Sequence, residues 1–525
     1  MNRDEFFKKV AYNEKLRNFL QRVIFGRTVL TFFILFLQIA FIIFFCVRLT
    51  SYTELYFISS IIVSCIFMIF LSNTKGKNEF KIAWILPVMV LPLFGISIYI
   101  LYHINFGSLT IRRQIKKMRF DSKKYIESEK KVQNSLEKFA EVKDLANYLY
   151  KSGDFTPSEN NRISYYSCGE KFYPELLKEL SKAKKFIFLE FFIINLDEAW
   201  EQIVEILEKK VKEGVEVRVI FDGFGSIVSS YSGYQKYLAG KGLKTLVVAP
   251  IIPILNTGQN NRDHRKIVVI DGKIAFTGGV NIKNEYFNYG KNRFPYWKDN
   301  AIKLEGESVN SFSKMFLQLW NACKKSTEDF KPYFVKHSKK KNLENLIIPY
   351  DDNAFNDEDI AENVYLYLIN NAKNYIHITS PYLLLDNSMK EALIFAAKRG
   401  VDVSIMLPSR PDHILTFCVG KTFLPELLEN GINIYIYEKG FLHAKTFICD
   451  DKMATVGSIN LDYRSLYHHF ECAAFIYDKN IVPQIEDDFV NSEKDCLKMQ
   501  ISDYKKIPWY CRTYGRIFRI FAPLL

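Results

Sequence analysis

Residues able to carry chemistry occur in this chain as a repeated pattern. In "DHRKIVVIDGKIAFTGGVN", His264, Lys266 and Asp271 stand at H-x-K-x-x-x-x-D spacing, and "GFLHAKTFICDDKMATVGSIN" repeats it with His443, Lys445 and Asp450. Gly278 and Gly457 each lie 14 residues past their histidine, and Asn281 and Asn460 each lie 17 past it. One such match carries little weight, because a strand can hold an incidental polar residue. Two copies with matching glycine and asparagine indicate a duplicated unit.

The residue types suit phosphoryl chemistry. A histidine can attack phosphorus directly or pass a proton to a leaving oxygen, so two facing histidines divide those tasks. Lys266 and Lys445 supply positive charge to the phosphoryl oxygens as charge shifts in the transition state. The Asn281 and Asn460 amides are candidate donors to the same oxygens, and the small residues Gly278, Gly279, Gly457 and Ser458 allow close backbone approach to a phosphate. Two downstream carboxylates, Asp299 in "WKDN" and Glu471 in "HHFE", are candidates to hold the second nitrogen of each imidazole. No metal-ligand spacing is present and no cofactor is expected.

The elements that must position these groups read as α/β. "KKFIFLEFFII" is an expected strand, "EAWEQIVEILEKKVKEG" an amphipathic helix and "VEVRVIFDGFGS" a second strand, followed by the first histidine segment. The order recurs as "KNYIHITSPYLLL", "NSMKEALIFAAKRG", "VDVSIMLPSRPDH" and "INIYIYEKGFLHAKTFICDD". Strand, helix, strand at this spacing implies parallel pairing with right-handed crossovers. The expected boundaries are a membrane region over 1–110, a charged helical connector over 111–159 with a solvated face, a first repeat over 160–327 and a linker over 328–349. A second repeat over 350–500 and a basic amphipathic tail over 501–525 complete the chain.

Composition points to a membrane. The first hundred residues hold apolar runs at about 29–47, 54–71 and 82–102, each near the roughly 20 residues that cross hydrocarbon. Basic residues flank them, including Arg27, Arg48, Lys81 and the cluster Arg112, Arg113, Lys116, Lys117 and Arg119. They crowd both ends of the region, so the positive-inside rule divides over orientation. The net charge of +13 fits an anionic membrane better than nucleic acid. Nine scattered cysteines, an odd count without C-x-x-C, argue against a disulfide framework and for a reducing compartment. The tail "WYCRTYGRIFRIFAPLL" sets Arg512, Arg516 and Arg519 against Trp509, Ile517, Ile520 and Phe521, a pattern suited to a membrane interface.

The paired boxes resemble the phospholipase D superfamily, and finer features resemble one branch, the bacterial cardiolipin synthases. "LEFF", "FDGFGS", "DHRKIVVIDGKIAFTGGVNI", "YWKDNAIKLEG", "ITSPYLLLD", "RGVDVSIMLP", "GFLHAKTFICDD", "VGSINLDYRS" and "HFE" come in that branch's order over roughly 160–480. The resemblance implies two homologous α/β halves with the site at their pseudo-twofold seam, preceded by transmembrane helices. It also implies transfer of a phosphatidyl group between two phosphatidylglycerol molecules through a phosphohistidine, giving cardiolipin and glycerol. Spacing alone does not say which histidine attacks; His264 is our assignment as nucleophile, with His443 as acid and then base.

The expected partners are a phospholipid substrate and the membrane, with no nucleic acid. The expected location is the cell membrane, multi-pass, with the catalytic part on the cytoplasmic side; the oligomeric state is left open. Two departures from the branch stand out: an extra apolar run before the usual pair of spans, and Leu384–Leu385 where Ile-Pro is usual, expected to alter the mouth of the site. The other readings are a hydrolase using the same residues, transfer to another alcohol such as serine or ethanolamine, and a membrane-anchored scaffold with a dead site.

Overall fold

The computed structural model describes residues 53–103, 106–125, 129–226, 232–249, 261–290, 292–337 and 344–524, with scattered positions between 33 and 44. These divide into a unit drawn mainly from the first 110 residues and a unit made of 111–250 and 261–522. Most of the apolar run at 29–47 falls outside the described residues.

In the first unit, helix α1 (Thr53–Ser72) is the one described helix long and apolar enough to cross a membrane, with a mean hydropathy of 2.4 over Glu54–Ser72 and most of its surface exposed. The run at 82–102, expected as a single span, is two helices: α2 (Asn78–Val90) and α3 (Pro92–His103). The reason is local. Pro92 lacks the N–H that a continuing helix needs and disfavours helical backbone at Leu91, which sits at φ −139°. The chain folds back there, so that Trp84 and Tyr99 meet edge to face at 5.4 Å. A Cβ on Gly95 would lie 2.6 Å from the Val88 backbone nitrogen, so the return helix needs glycine at this contact. Helices of 13 and 12 residues reach only about 20 Å at 1.5 Å per residue.

The second unit contains the duplication. Its first half runs through strands β1 (Ser158–Glu159), β2 (Arg162–Tyr166), β3 (Phe186–Phe191), β4 (Glu216–Asp222), β5 (Lys244–Val248), β6 (Lys266–Ile270), β7 (Ile274–Gly278), β8 (Trp297–Lys298) and β9 (Ala301–Glu305). The second half continues with β10 (Leu346–Asp352), β11 (Tyr375–Thr379), β12 (Asp402–Pro408), β13 (Asn433–Tyr437), β14 (Phe441–Leu442), β15 (Thr446–Cys449), β16 (Met453–Gly457), β17 (Glu471–Tyr477) and β18 (Cys496–Lys498).

Seven strands make a sheet in the order β2-β9-β7-β6-β3-β4-β5, and the other sheet contains the same sequence of neighbours, β10-β17-β16-β15-β11-β12-β13, with β1 and β18 added at its edges. The β3–β4–β5 and β11–β12–β13 pairs are parallel, as the strand–helix–strand pattern predicts. The histidine-bearing segments come in antiparallel, Phe191 opposite Lys266 and Thr379 opposite Thr446, so each H-x-K lies at the carboxyl ends of the parallel strands.

Helix α4 (Ser308–Lys324) packs against strands of both sheets and is buried on every side from Ser311 to Ala322, which is the environment of a helix between two layers. The expected solvated connector is not a free spacer. Val132, Leu136, Val142, Leu145 and Leu149 within it are buried, and Arg119 pairs with Asp351 of β10 at 2.7 Å.

The cysteine expectation also changes. Cys418 and Cys511 form a disulfide across 93 residues, joining α5 (Ile414–Lys421) to α6 (Trp509–Phe518). Spacing along the chain does not reveal a pair brought together by tertiary packing. Leu384 and Leu385 are buried, 1% and 3% exposed, so they do not line an open mouth. The Leu384 N–H donates to Leu461 O, and Leu385 O accepts from Tyr463.

Candidate active site

The two halves are stitched along their seam by backbone. β8 and β14 pair in parallel, and the His443 N–H donates to Lys298 O at 2.7 Å. At a second place along the seam Asp263 bridges Phe470, and the His264 N–H donates to Phe470 O at 2.8 Å. Each histidine backbone is therefore fixed next to a carboxylate from the opposite half.

The side chains complete a reciprocal exchange. His264 Nδ1 lies 2.9 and 3.0 Å from the two oxygens of Glu471, while His443 Nδ1 lies 2.6 Å from Asp299 Oδ2. All four residues are buried, and both carboxylates are fully inaccessible. Each Nδ1–H donates to its carboxylate, leaving Nε2 available as a base or nucleophile. Asp299 and Glu471, expected to hold the second nitrogen of each imidazole, each contact the histidine of the other half.

Burial sets the protonation. It lowers His264 to about 3 against the opposing pull of Glu471, and lowers His443 to about 4 with help from the Lys445 charge. For Glu471, burial alone would raise the carboxyl, yet the donors of His264 and the charge of Lys266 hold it well below the usual range. The coupled pair is therefore a neutral imidazole donating to an ionised carboxylate. Burial likewise lowers Lys266 to about 8 and Lys445 to about 7. Both ammonium groups bond to the carbonyl of their own histidine. Lys445 Nζ is also 2.7 Å from His443 Nδ1, but a ring nitrogen donating to Asp299 cannot accept from the ammonium.

The remaining residues sort differently from the sequence reading. Asp271 and Asp450 are far from this centre, at the turns that follow β6 and β15. Asp271 lies five positions past Lys266 along β6, about 16 Å at 3.3 Å per residue. Asp271 accepts N–H groups of Lys184, Lys185 and Phe186, and Asp450 those of Lys373, Asn374 and Tyr375. Both sit at positive φ, +54° and +51°. Their repeated position reflects one turn built twice.

Gly278 and Gly457 serve strand packing: a Cβ would come within 2.4 Å of Asn300 O in one case and of Ala473 Cβ and Cys472 O in the other. Gly279 makes room for Asp299, whose Oδ1 would lie 2.1 Å from an added Cβ. Ser458 donates to Glu471. Asn281 spends its amide on the Tyr286 hydroxyl at 2.9 Å and on the Ile193 N–H at 3.1 Å. Asn460 is buried with its Oδ1 unpaired.

Sequence reasoning missed Ser465, whose hydroxyl donates to Glu471 at 2.8 Å, and the rings around the histidines. Two residues ahead of each carboxylate stands a ring: Trp297, 5.3 Å from His443, and His469, 5.6 Å from His264. Tyr286 and Phe192 close the other sides at 5.3 and 5.0 Å. The shared spacing W-x-D and H-x-E was the available signal. Among the described residues one group of metal-ligand types converges, His264, His469 and Glu471, with candidate atoms within 4.8 Å. Both Glu471 oxygens are already engaged by Ser458, Ser465 and His264.

Two buried imidazoles in reach of two amines can hold a phosphodiester, attack it from one side and protonate the leaving oxygen from the other. Comparison with known proteins agrees with that chemistry. A family model described as "Cardiolipin synthase, PLD-like domain" matches residues 176–320 and 365–492. An uncharacterised protein of Streptococcus mutans is 41% identical over 87% of this chain and 99% of its own length. A cardiolipin synthase of Clostridium perfringens is 36% identical over 84% of this chain and 94% of its own. The fold is that of the phosphatidylserine synthase crystal structure from Haemophilus influenzae, with a TM-score of 0.55 at 14% identity, covering 69% of this chain and 95% of that one.

Proposed function

The chain belongs to the bacterial cardiolipin synthases of the phospholipase D superfamily, and from that premise we propose how its residues perform phosphatidyl transfer. It is a phosphatidyltransferase that makes cardiolipin. His264 Nε2 attacks the phosphorus of one phosphatidylglycerol. As the bond to the glycerol oxygen breaks, His443 gives that oxygen a proton, and glycerol departs. The hydroxyl of a second phosphatidylglycerol then loses its proton to His443 and attacks the phosphohistidine, releasing His264 and forming cardiolipin. Lys266 and Lys445 neutralise the equatorial oxygens, and a bound diester anion favours the protonated state of His443.

The observation that carries this reading is the reciprocal pair of contacts, Glu471 to His264 and Asp299 to His443, which orients both rings by Nδ1 and leaves both Nε2 atoms for the reaction. His264 stays neutral to attack, and His443 takes up a proton on Nε2 as the diester anion binds, which it then gives to the glycerol oxygen. Labelled phosphatidylglycerol supplied to the purified protein with a chelator present should yield cardiolipin and glycerol in equal amounts. Phosphatidic acid as the product would make the protein a hydrolase, and no turnover on any headgroup would leave it a scaffold.

The membrane region is read as multi-pass, with α1 as one span. The basic cluster Arg112–Arg119 supports a cytoplasmic catalytic unit. The Cys418–Cys511 bond, of a kind that persists in oxidising surroundings, supports the opposite side. Protease protection in sealed, right-side-out vesicles separates the two.

A further inference from the structure

At the carboxyl ends of the corresponding strands β4 and β12 the chain leaves an apolar side chain in solvent on each side of the site. Phe224 follows β4 by two residues, Ile414 opens α5, and both are more than half exposed. Their loops are tied to the centre. Asp222 accepts the N–H of Asp263, next to His264, at 3.0 Å. Asp412 accepts the Tyr382 hydroxyl, and its carbonyl accepts from Arg293 at 3.3 Å. Phe294, the next residue, stacks at 4.8 Å on Phe441, two residues before His443.

Helix α6 extends this rim. It crosses α5 in direct contact: the Cys418–Cys511 bond joins them, and a Cβ on Gly515 would lie 2.3 Å from Cys418 O. With Cys511 and Gly515 turned inward, Tyr514 and Ile517 face outward, and Trp509 is exposed in the first turn. The crossing at Cys418 is one helical turn from Ile414. Exposed Arg516, and Lys505 and Lys506 just before the helix, place cations beside these side chains. Isolated apolar residues on a surface need no explanation, but aromatic and aliphatic groups gathered with cations at the rim of a site do.

The substrate geometry makes a demand of its own. A diester phosphate has to reach Lys266 and Lys445, which are both buried, while its acyl chains stay in hydrocarbon. A mouth resting on the headgroup layer meets that demand. We propose that Phe224, Ile414, Trp509, Tyr514 and Ile517 form the face on which the catalytic unit rests on an anionic phospholipid surface, with Arg516 at headgroup level. This rests on the reading of the substrate as a phospholipid. The net charge of +13 is complementary to such a surface.

The test uses the full chain reconstituted in phosphatidylglycerol vesicles and the double variant Tyr514→Glu/Ile517→Glu, which touches no residue of the site. Turnover of vesicle lipid should fall at least tenfold, while turnover of short-chain phosphatidylglycerol dissolved as monomers stays within twofold of wild type. Vesicle turnover within twofold of wild type would overturn the proposal and leave this face to a protein partner. If the variant loses both activities, quenching of tryptophan fluorescence by acyl-brominated phosphatidylglycerol decides. A quenched component present in the wild type and missing in Trp509→Phe supports docking, and its absence from the wild type overturns it. Failure of the functional reading would show separately, as a wild-type protein inactive on the short-chain lipid, and the quenching result would still stand.

Discussion

Glu471 holds His264 from across the seam, its carboxylate 2.9 Å from Nδ1, although 207 residues separate the two in the chain. Asp299 holds His443 in the opposite sense at 2.6 Å. The duplication therefore does not place one complete site in each half: each half lends the other the group that orients its ring. A Glu471→Gln variant keeps the shape and removes the charge that favours the Nδ1–H tautomer. We expect kcat to fall about 10²- to 10⁴-fold with little change in KM, as when an orienting carboxylate is neutralised in a catalytic triad, and Asp299→Asn to do the same. A double variant losing the product of the two effects, rather than about the larger one, would show that the two carboxylates act separately.

The assignment of roles to His264 and His443 has its own readout. A phosphodiester with a good leaving group, such as a nitrophenol ester, needs no proton for its first step. His443→Asn should therefore form an acid-labile phosphohistidine on His264 and then stall, while His264→Asn should form none. The reverse pattern, with label on His443, would exchange the two roles. With phosphatidylglycerol itself, alanine at either position should abolish turnover, and near-wild-type activity in either variant would sink the two-histidine mechanism.

Burial sets the expected pH dependence. The ammonium form of each lysine binds the phosphate, and Lys445 and Lys266 are lowered to about 7 and about 8. Both are charged below those values, and charge is lost as pH rises through them. The ratio kcat/KM should therefore decline through pH 7 to 8, where an ordinary lysine would stay charged to about 10.4. Bound diester favours the charged amines, so the limb in kcat should lie at higher pH than the limb in kcat/KM. His264, lowered to about 3, contributes no acid limb near neutrality. His443, the proton donor lowered to about 4, already makes kcat/KM fall gradually above that value, so the lysines show as a steepening of the fall through pH 7 to 8. A kcat/KM profile with no steepening up to pH 9 would show that the amines are not desolvated in solution.

The duplicated α/β order, the two histidine–lysine pairs and the two carboxylates were legible because each leaves a local pattern that the chain writes twice. The crossing of the carboxylates was not, since two halves of similar pattern give no sign of which partners which. Gly278 and Gly457 were read as phosphate contacts because they recur at fixed spacing, but recurrence equally marks a close strand pair, and here Asn300 O and Ala473 fill the space. Hydropathy sees the run at 82–102 as continuous. It carries no information about the reversal at Leu91–Pro92 that brings Trp84 against Tyr99. The Cys418–Cys511 bond depends on the crossing of α5 and α6, which follows from packing and not from spacing.

Asp271 and Asp450 complete the sequence motif, yet each spends its carboxylate on three backbone N–H groups at the start of β3 or β11. Replacing either with alanine leaves those donors without a protein partner and puts an ordinary residue at positive φ, so the cost falls on stability, about 1–3 kcal/mol. Asparagine tolerates the left-handed backbone and keeps an acceptor oxygen, so Asp271→Asn should recover part of the loss. The expected result is a lowered Tm with KM and kcat near wild type at temperatures where the variant stays folded, in contrast to Lys266→Ala, which should keep its Tm within a few degrees and lose turnover. An Asp271→Ala protein with unchanged Tm and abolished kcat would return this residue to the chemistry and require a path from the turn to the phosphate that the five residues of β6 do not provide.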